Sequence, residues 1–551
     1  MLHCFILKGS FQDSVTLMVL SRDLSALPGV VKASVMMGTP ANKDVFRETG
    51  LWHDTLDEAT PSDVCVIVDC EDAARAAGVL EELKTRLADV AKSRRASGYP
   101  VARSWRRARQ LVPDANVALI SVAGHYAADV ARQALDDGCH VMMFSDNVPV
   151  EAEVELKLAA RRRGLIVMGP DCGTSVIGGV PLAFANRMPK GPIAVVGASG
   201  TGIQEICSQI AARGAGITHA IGLGGRDLSA AVGGISALTA IDFVAADAAS
   251  RVVVFVSKPP APEVKARVLA ALKLMQRPVV ALFLGDRQAA RRDGNVHFAQ
   301  TLDGAAALAV DLANVDSQAS HQPSASGLGI CGLYTGGTLA AEAAQLLADA
   351  LGLHADETHA EGYMLRSGGH RVIDLGDDLY TRGRPHPMID PTLRNEMIRA
   401  LADEPTYGVL LLDVVLGYGA NADPAGVTAR AVAEMRAARG GAPITVIATL
   451  TGTDQDPQDR ASQAAKLEEA GIVIAESTRT AVELALRLVQ PPVAGIGAPP
   501  PLLAAPPAIV NIGLRGFADE LQAGGTNVVH YLWEPIAGGN QRLQRLVAAL
   551  Q

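Results

Sequence analysis

The chain has 551 residues, 49% hydrophobic and 19% charged, with 54 Gly and 30 Pro; that excludes a disordered or collagen-like polymer and predicts several soluble globular domains. Lys and Arg number 49 against 58 Asp and Glu, a net charge of −9, the wrong sign for neutralising a phosphate polymer. With only 4% aromatic residues there are few platforms on which bases could stack, so nucleic acid is not an expected partner.

The N-terminus, MLHCFILKGSFQD, turns polar too early for a signal-peptide core. Met18–Leu20, Val30–Met36 and Val64–Asp69 read as strands around a short helix at Ser21–Leu27, which predicts a small α+β domain over residues 1–110. Its end is a basic connector carrying Arg94, Arg95, Arg103, Arg106, Arg107 and Arg109, read as a solvated face rather than a nucleic-acid patch.

From residue 111 the pattern changes. Val117–Val122, Leu165–Met168, Ile193–Val196, Val252–Val256 and Val279–Leu284 are short, apolar throughout and bounded by Gly, Pro or charge, as strands buried on both faces of a parallel sheet are. Between them lie amphipathic helices such as Gly202–Arg213, where Ile203, Ile206, Cys207 and Ile210 share one face. The expectation is α/β, doubly wound, with one domain over 111–190 and another over 191–313. The polar stretch Asn314–Gly327 reads as a linker. Residues 328–490 repeat the same grammar, with Leu328–Leu333, Val409–Val415 and Ile444–Thr449 as strands. A proline-rich linker at 491–507 then leads to a C-terminal assembly segment, 508–551; its prolines argue against a membrane span in the uncharged stretch Leu488–Leu514.

Ligands of open α/β sheets bind beyond the carboxyl ends of strands, where helix N-termini attract anions. Ala198-Ser199-Gly200-Thr201-Gly202 follows Ile193–Val196 and opens the Gly202–Arg213 helix: glycines admit an oxyanion closely, two hydroxyls are at hand, and Thr201 with Gln204 fits a capping box. A plain capped turn is the alternative. Thr335-Gly336-Gly337-Thr338 repeats this arrangement before a helix starting near Leu339. Asp171 and Cys172 lie in Gly169-Pro170-Asp171-Cys172-Gly173 at another strand end, with Cys172 read as structural unless a base or helix N-terminus favours its thiolate. In Ile221-Gly222-Leu223-Gly224-Gly225-Arg226-Asp227, Arg226 could clamp a carboxylate or phosphate with two prongs. Asp413 and Thr449–Thr453 could position a polar ligand or be held by backbone. Gly368–Arg371, Gly376–Asp378 and Arg382–Pro387 form an irregular segment suited to docking an anion or subunit, or to surface ion pairs.

The seven cysteines, Cys4, Cys65, Cys70, Cys139, Cys172, Cys207 and Cys331, are scattered and odd in number, as expected for reduced thiols in the cytosol. The twelve histidines show no zinc-ligand spacing, so no metal site is expected.

In this order the motifs resemble the FdrA family, itself similar to succinyl-CoA ligase. Gly169–Cys172 matches the ligase α subunit's Gly-Pro-Asn-Cys turn, Ser199-Gly200-Thr201 its phosphate-facing helix start, and Gly222–Asp227 its glycine-rich strand exit. The middle block, with LYTGGTL, VVLGYG and EAGIVIAESTRTAV, is similar to the β subunit's carboxyl-terminal domain. The resemblance implies either an NDP-forming acyl-CoA synthetase subunit or one subunit of an oxamate carbamoyltransferase of allantoin (ureide) breakdown, which forms carbamoyl phosphate. It also implies companion protein subunits and a small anionic substrate. Three departures favour the transferase. The ligase's phosphocarrier histidine has its counterpart in GNVHFAQ, where His297 lacks flanking glycines. No ATP-grasp domain has room. The ligase's CoA-binding glycine loop finds no counterpart in residues 1–100, so CoA is kept only as an open alternative to phosphate or carbamoyl phosphate as ligand. Catalytic residues are left open, with Arg226 and His297 as candidates, Asp171, Cys172, Gly224 and Gly225 as substrate contacts, and a non-catalytic scaffold as the third reading.

Overall fold

The computed structural model describes residues 1–10, 12, 14–93, 98–286, 291–355, 360–490 and 500–535; Arg94 and Arg95 of the basic connector, 491–499 of the proline-rich stretch and 536–551 of the tail lie outside them. The chain divides into two compact units. One comprises Met1–Arg187, Ile221–Thr239 and Pro501–Gln551, the other Met188–Ala220 and Ala240–Pro500.

The first unit opens with β1 (Leu2–Leu7), α1 (Ser14–Ser25), β2 (Val30–Met37), α2 (Pro40–Glu48), β3 (Val64–Cys70) and α3 (Ala73–Ser93). The strands form an antiparallel sheet in the order β1-β3-β2. Met18–Leu20, read from the sequence as a strand, lies inside α1 instead. Leu17, Leu20 and Leu24 all fall on the buried side of that helix, a period of three to four that outweighs the β-branched look of the segment.

Next come β4 (Val101–Ala102), α4 (Trp105–Leu111), β5 (Val117–Ile120), α5 (Gly124–Asp136), β6 (His140–Met143), α6 (Val150–Arg162), β7 (Val167–Met168) and a hairpin of β8 (Thr174–Ile177) and β9 (Val180–Ala183). Residues 98–110, expected to close the small domain, thus supply a strand and a helix to the following sheet, because Ala102, Trp105 and Ala108 are buried in its core.

The second unit contains β10 (Lys190–Gly197), α7 (Gly200–Ala212) and β11 (Ile217–Gly222), within which the chain passes to the first unit, returning within α8 (Ile235–Ala246). It continues with β12 (Val252–Ser257), α9 (Pro262–Lys273), β13 (Val279–Phe283), β14 (Arg292–Asp293), β15 (Val296–Phe298) and α10 (Leu302–Ala319). The strand order β14-β15-β13-β12-β10-β11 puts a switch of direction between β10 and β12; β10, β12, β13 and β15 are parallel. The stretch 314–327, expected as a linker, begins as the last turns of α10. Val315 and Asp316 are buried there, and Asp316 is held by Arg251 and by Arg487, whose Nε donates to it at 2.9 Å.

A second sheet of this unit is built from β16 (Gly329–Tyr334), α11 (Gly337–Leu351), β17 (Tyr363–Ser367), β18 (His370–Asp374), α12 (Asp378–Thr381), α13 (Thr392–Ala400), β19 (Tyr407–Val415), α14 (Pro424–Ala438), β20 (Thr445–Thr451), α15 (Arg460–Glu469), β21 (Val473–Ala475) and α16 (Thr478–Val489). Its order is β17-β18-β16-β19-β20-β21, so the winding reverses between β16 and β19.

The chain ends, as far as described, in α17 (Pro501–Ala504), β22 (Ile509–Ile512), α18 (Arg515–Ala523) and β23 (Val528–Tyr531). These belong to the first unit's parallel sheet, ordered β4-β23-β22-β5-β6-β7. The segment expected to stand apart for assembly therefore fills the sheet beside β5, register Ile509↔Val117 to Ile512↔Ile120. The cause is its apolar strand: Ile509, Val510 and Ile512 are fully buried. The molecule is α/β throughout, with doubly wound parallel sheets preceded by a small α+β domain.

Candidate functional site

In the first unit the turns after β7 and β11 meet. Asp171 is exposed, in left-handed backbone (φ 55°), with its amide donating to the Ser145 carbonyl at 3.0 Å and its carboxylate beside Gly225. Cys172 points the other way. Its Sγ is buried 3.9 Å from Ser175 Oγ, and that hydroxyl in turn accepts the Gly222 amide at 2.9 Å. A side chain at Gly222 would put its Cβ 2.5 Å from the sulfur, so glycine is what lets the thiol sit there. Burial pushes the Cys172 thiol up, which suits a structural cysteine and not a nucleophile.

Beneath the Gly224-Gly225-Arg226 turn lies a group of charges that sequence reading missed. Lys157 Nζ, fully buried, donates to Glu153 Oε1 at 2.8 Å, Asp227 Oδ1 at 2.7 Å and the Leu223 carbonyl at 3.2 Å. Arg226 ion-pairs with Glu153 Oε2 at 2.9 Å and donates to the Val148 carbonyl at 2.8 Å. The Asp227 carboxylate also accepts the amides of Ser236 and Ala237. Arg226, read as a free clamp, is thus committed to an internal partner, though half its side chain faces solvent. The signal was faint: Glu153 and Lys157 are four apart on α6, which reads as an ordinary surface pair until the fold buries it.

In the second unit, Ser199 rather than Thr201 caps α7, its Oγ accepting the Gly202 amide at 3.2 Å. The helix begins at Gly200, two positions earlier than a Thr201–Gln204 box requires. Within the helix the Gly200 and Thr201 amides have no acceptor, and Thr201 is exposed. The turn sits at the β10/β12 reversal, where Ala198 donates to the Val256 carbonyl at 3.0 Å. One residue further along β12, Ser257 is 1% exposed and its hydroxyl has no hydrogen-bond partner. Lys258 follows it, exposed.

The parallel turn Thr335–Thr338 is different. The Asp413 carboxylate accepts the amides of Thr335 (2.7 Å) and Gly336 (2.8 Å) and the Thr335 hydroxyl (2.9 Å). Gly337 has Asp374 so close that a Cβ there would meet its carboxylate at 2.6 Å, and burial raises the Asp374 pKa. The first half of the expected anion cradle, Thr335 and Gly336, is thus already taken by the protein's own Asp413 carboxylate. Arg394, buried, pairs with the Asp413 carboxylate at 3.6 Å and donates to the Asp413 main-chain carbonyl at 2.6 Å and to Thr428 Oγ1 at 2.8 Å. In the irregular segment, Arg371 forks onto Glu404 at 2.9 and 3.0 Å, and His370 Nδ1 accepts the Ile330 amide at 3.1 Å. Thr449 lies within β20.

His297 lies on β15, paired with β13 and β14, 6% exposed. Its Nδ1 is 3.8 Å from Glu483, which Arg292 already pairs at 2.9 Å. Burial lowers the imidazole pKa to about 3, helped by Arg292 and Arg479.

These turns and sheets define a CoA-ligase-like α/β protein. A CoA-ligase family model matches residues 333–488, a CoA binding domain model residues 189–285, and a model described as AllF, heavy metal-associated domain, residues 1–101. The protein YahF of Escherichia coli K12, uncharacterized, is 36% identical over 492 residues, covering 85% of this chain and 95% of that one. The chain belongs to the succinyl-CoA ligase-like family that YahF represents. The ADP-forming sulfoacetate-CoA ligase subunit SauD of Bilophila wadsworthia is 30% identical over 135 residues, 23% of this chain and 46% of that subunit. Among solved structures, an acetyl-coenzyme A synthetase of Ca. Korarchaeum cryptofilum aligns over 68% of this chain and 82% of that one, with 16% identity and a TM-score of 0.40. The CoA binding domain model thus falls on the segment holding the Ser199 turn, not on the first hundred residues. Among the described residues no cluster suited to a metal is present, and no helix is long and apolar enough to cross a membrane.

Proposed function

We propose that this chain is the acyl-phosphate-handling subunit of a succinyl-CoA ligase-like assembly, with the Ser199–Gly202 turn as its phosphate cradle, and that the acyl group is carbamoyl, as in an FdrA-type oxamate carbamoyltransferase. One observation carries the reading: among the described residues no carboxylate is bonded to the amides of Ser199–Gly202, whereas Asp413 takes the Thr335 and Gly336 amides of the other glycine turn, and the Ser199 turn has the unpartnered hydroxyl of Ser257 on the next strand. When phosphate attacks a carbonyl, an oxyanion develops, and preorganised amides and hydroxyls stabilise it. No covalent phosphoryl carrier is needed, which agrees with His297 being enclosed in its sheet. Companion subunits supply what this chain lacks. Titration calorimetry with phosphate and carbamoyl phosphate, alone and with those subunits, tests the cradle. Ser199→Asp keeps a helix cap but puts a carboxylate where the anion sits, and should abolish binding; unchanged binding removes the site.

The alternative, an NDP-forming acyl-CoA synthetase subunit, is favoured by the CoA binding domain match over 189–285 and by the SauD relative. It requires CoA to bind this chain and a nucleotide-binding partner. CoA binding without any carbamoyl transfer from carbamoyl phosphate to oxamate, with release of phosphate, by the complex would select it.

A further inference from the structure

The sheet of the N-terminal domain has two edges, and the chain treats them differently. On the β2 edge the amides of Ala33 and Val35 donate to the hydroxyls of Ser25 and Ser21 on α1, at 2.9 and 2.8 Å, and Lys32 stands exposed. That edge is closed to further strands.

The β1 edge has no further strand beside it among the described residues. Met1 and Cys70 exchange both main-chain bonds, the Met1 amino group donating to the Cys70 carbonyl at 2.9 Å and the Cys70 amide to the Met1 carbonyl at 3.2 Å. Bonded and non-bonded pairs alternate along an antiparallel ladder. Hence His3, Phe5 and Leu7 turn their peptide groups towards β3, and Leu2, Cys4 and Ile6 turn theirs outward. The strand carries no charge, no proline and no bulge, its register running unbroken from Leu2↔Asp69 to Leu7↔Val64. Among the described residues its only strand partner is β3. All its residues are half-buried. Phe5 and Leu7 pack with Leu17 and Val66 on one face, while Leu2, Cys4 and Ile6 pack with Phe46 and Leu56 on the other.

We propose that this edge docks the β1 of a second copy of the chain, antiparallel, about a two-fold axis at Cys4. An incoming strand must be uncharged and apolar on both faces, and β1 is itself such a strand. The two-fold at Cys4 sets Leu2 opposite Ile6 and Cys4 opposite Cys4, so each outward-facing amide and carbonyl of one copy meets an outward-facing group of the other. Lys8 falls beyond the paired stretch. A two-fold at Phe5 would instead bring Lys8 opposite Leu2. The contact is isologous and closes on itself, and it is independent of the anion site.

Cys4 makes the register testable. It is the one cysteine that is not fully buried. Opposite residues in a bonded pair have Cα atoms about 5.5 Å apart, inside the disulfide range of about 4.4–6.8 Å. Burial holds the thiol up at about 11, so oxidation with diamide, which takes the two electrons and two protons, is run at about pH 9. The full-length chain should sediment as a dimer and give a Cys4–Cys4 disulfide by mass spectrometry, lost in Cys4→Ser. Cys4→Pro removes only an outward amide and adds a ring on the open edge, and should be monomeric with an unchanged circular-dichroism spectrum. A monomeric wild type, or a dimer without the Cys4–Cys4 link, overturns the proposal, as does a folded Cys4→Pro that still dimerises. Should Cys4→Pro fail to fold, the wild-type mass and cross-link decide alone.

Discussion

Replacing Lys157 with methionine should weaken the first unit severely while leaving the second untouched. The methionine keeps the buried stem but deletes an ammonium that serves Glu153, Asp227 and the Leu223 carbonyl at 2.7–3.2 Å. Removing one partner from a buried ion pair costs about 3–5 kcal/mol, because the charge left behind has lost both water and its counter-charge. Here Glu153 keeps Arg226 at 2.9 Å and Asp227 keeps the Ser236 and Ala237 amides, which puts the expected loss near the lower end, about 3 kcal/mol. For a unit of this size that corresponds to a fall in Tm of roughly 6–12 °C. Calorimetry, in which the two units can melt separately, reads it, and hydrogen exchange at residues 222–227 should rise with it. The double variant Lys157→Met, Asp227→Asn should recover part of the loss, since it removes a charge from each side. A single-variant loss below about 1 kcal/mol, or a double variant as costly as the sum of its parts, would refute the reasoning.

Incubating the assembled complex with a labelled phosphoryl donor should leave no acid-labile phosphate on His297; a stoichiometric label there would restore the synthetase mechanism. Burial lowers the His140 pKa to about 4, so the unfolded chain takes up that proton more readily than the folded one: stability should be full above about pH 6.5 and fall as the pH drops towards 4. Melting of the first unit at pH 7.5 and pH 5 should show this slope, and His140→Asn should flatten it. Asp413→Ala leaves the buried Arg394 uncompensated and the Thr335 and Gly336 amides unfilled, at a cost of about 3–5 kcal/mol measured by denaturant unfolding. Deleting 508–551 removes the strands beside β5 and should make residues 98–187 protease-sensitive; an intact, resistant fragment would contradict the sheet order.

The sequence alone determined most of the strands and the glycine turns at their carboxyl ends. Val252–Val256 and Val409–Val415 are apolar at every position because both their faces are covered, and glycine turns after such strands mark carboxyl ends without any knowledge of neighbours. It also read Cys172 as structural unless a base or helix N-terminus favoured its thiolate, kept it among the substrate contacts, and showed that His297 lacks the glycines of a swinging carrier. Tertiary structure decided the rest, because it decides what an exposed-looking residue touches. The two turns Ser199–Gly202 and Thr335–Thr338 read alike, and only packing brings Asp413, 78 residues from Thr335, into one of them. Arg226 read as a free cation until α6 presented Glu153. Ile509–Ile512 read as the start of a detached tail, because nothing local reveals that a strand near residue 510 pairs with one near 118. Long-range pairing and the burial of charge depend on where distant segments meet, and no window of sequence contains that information.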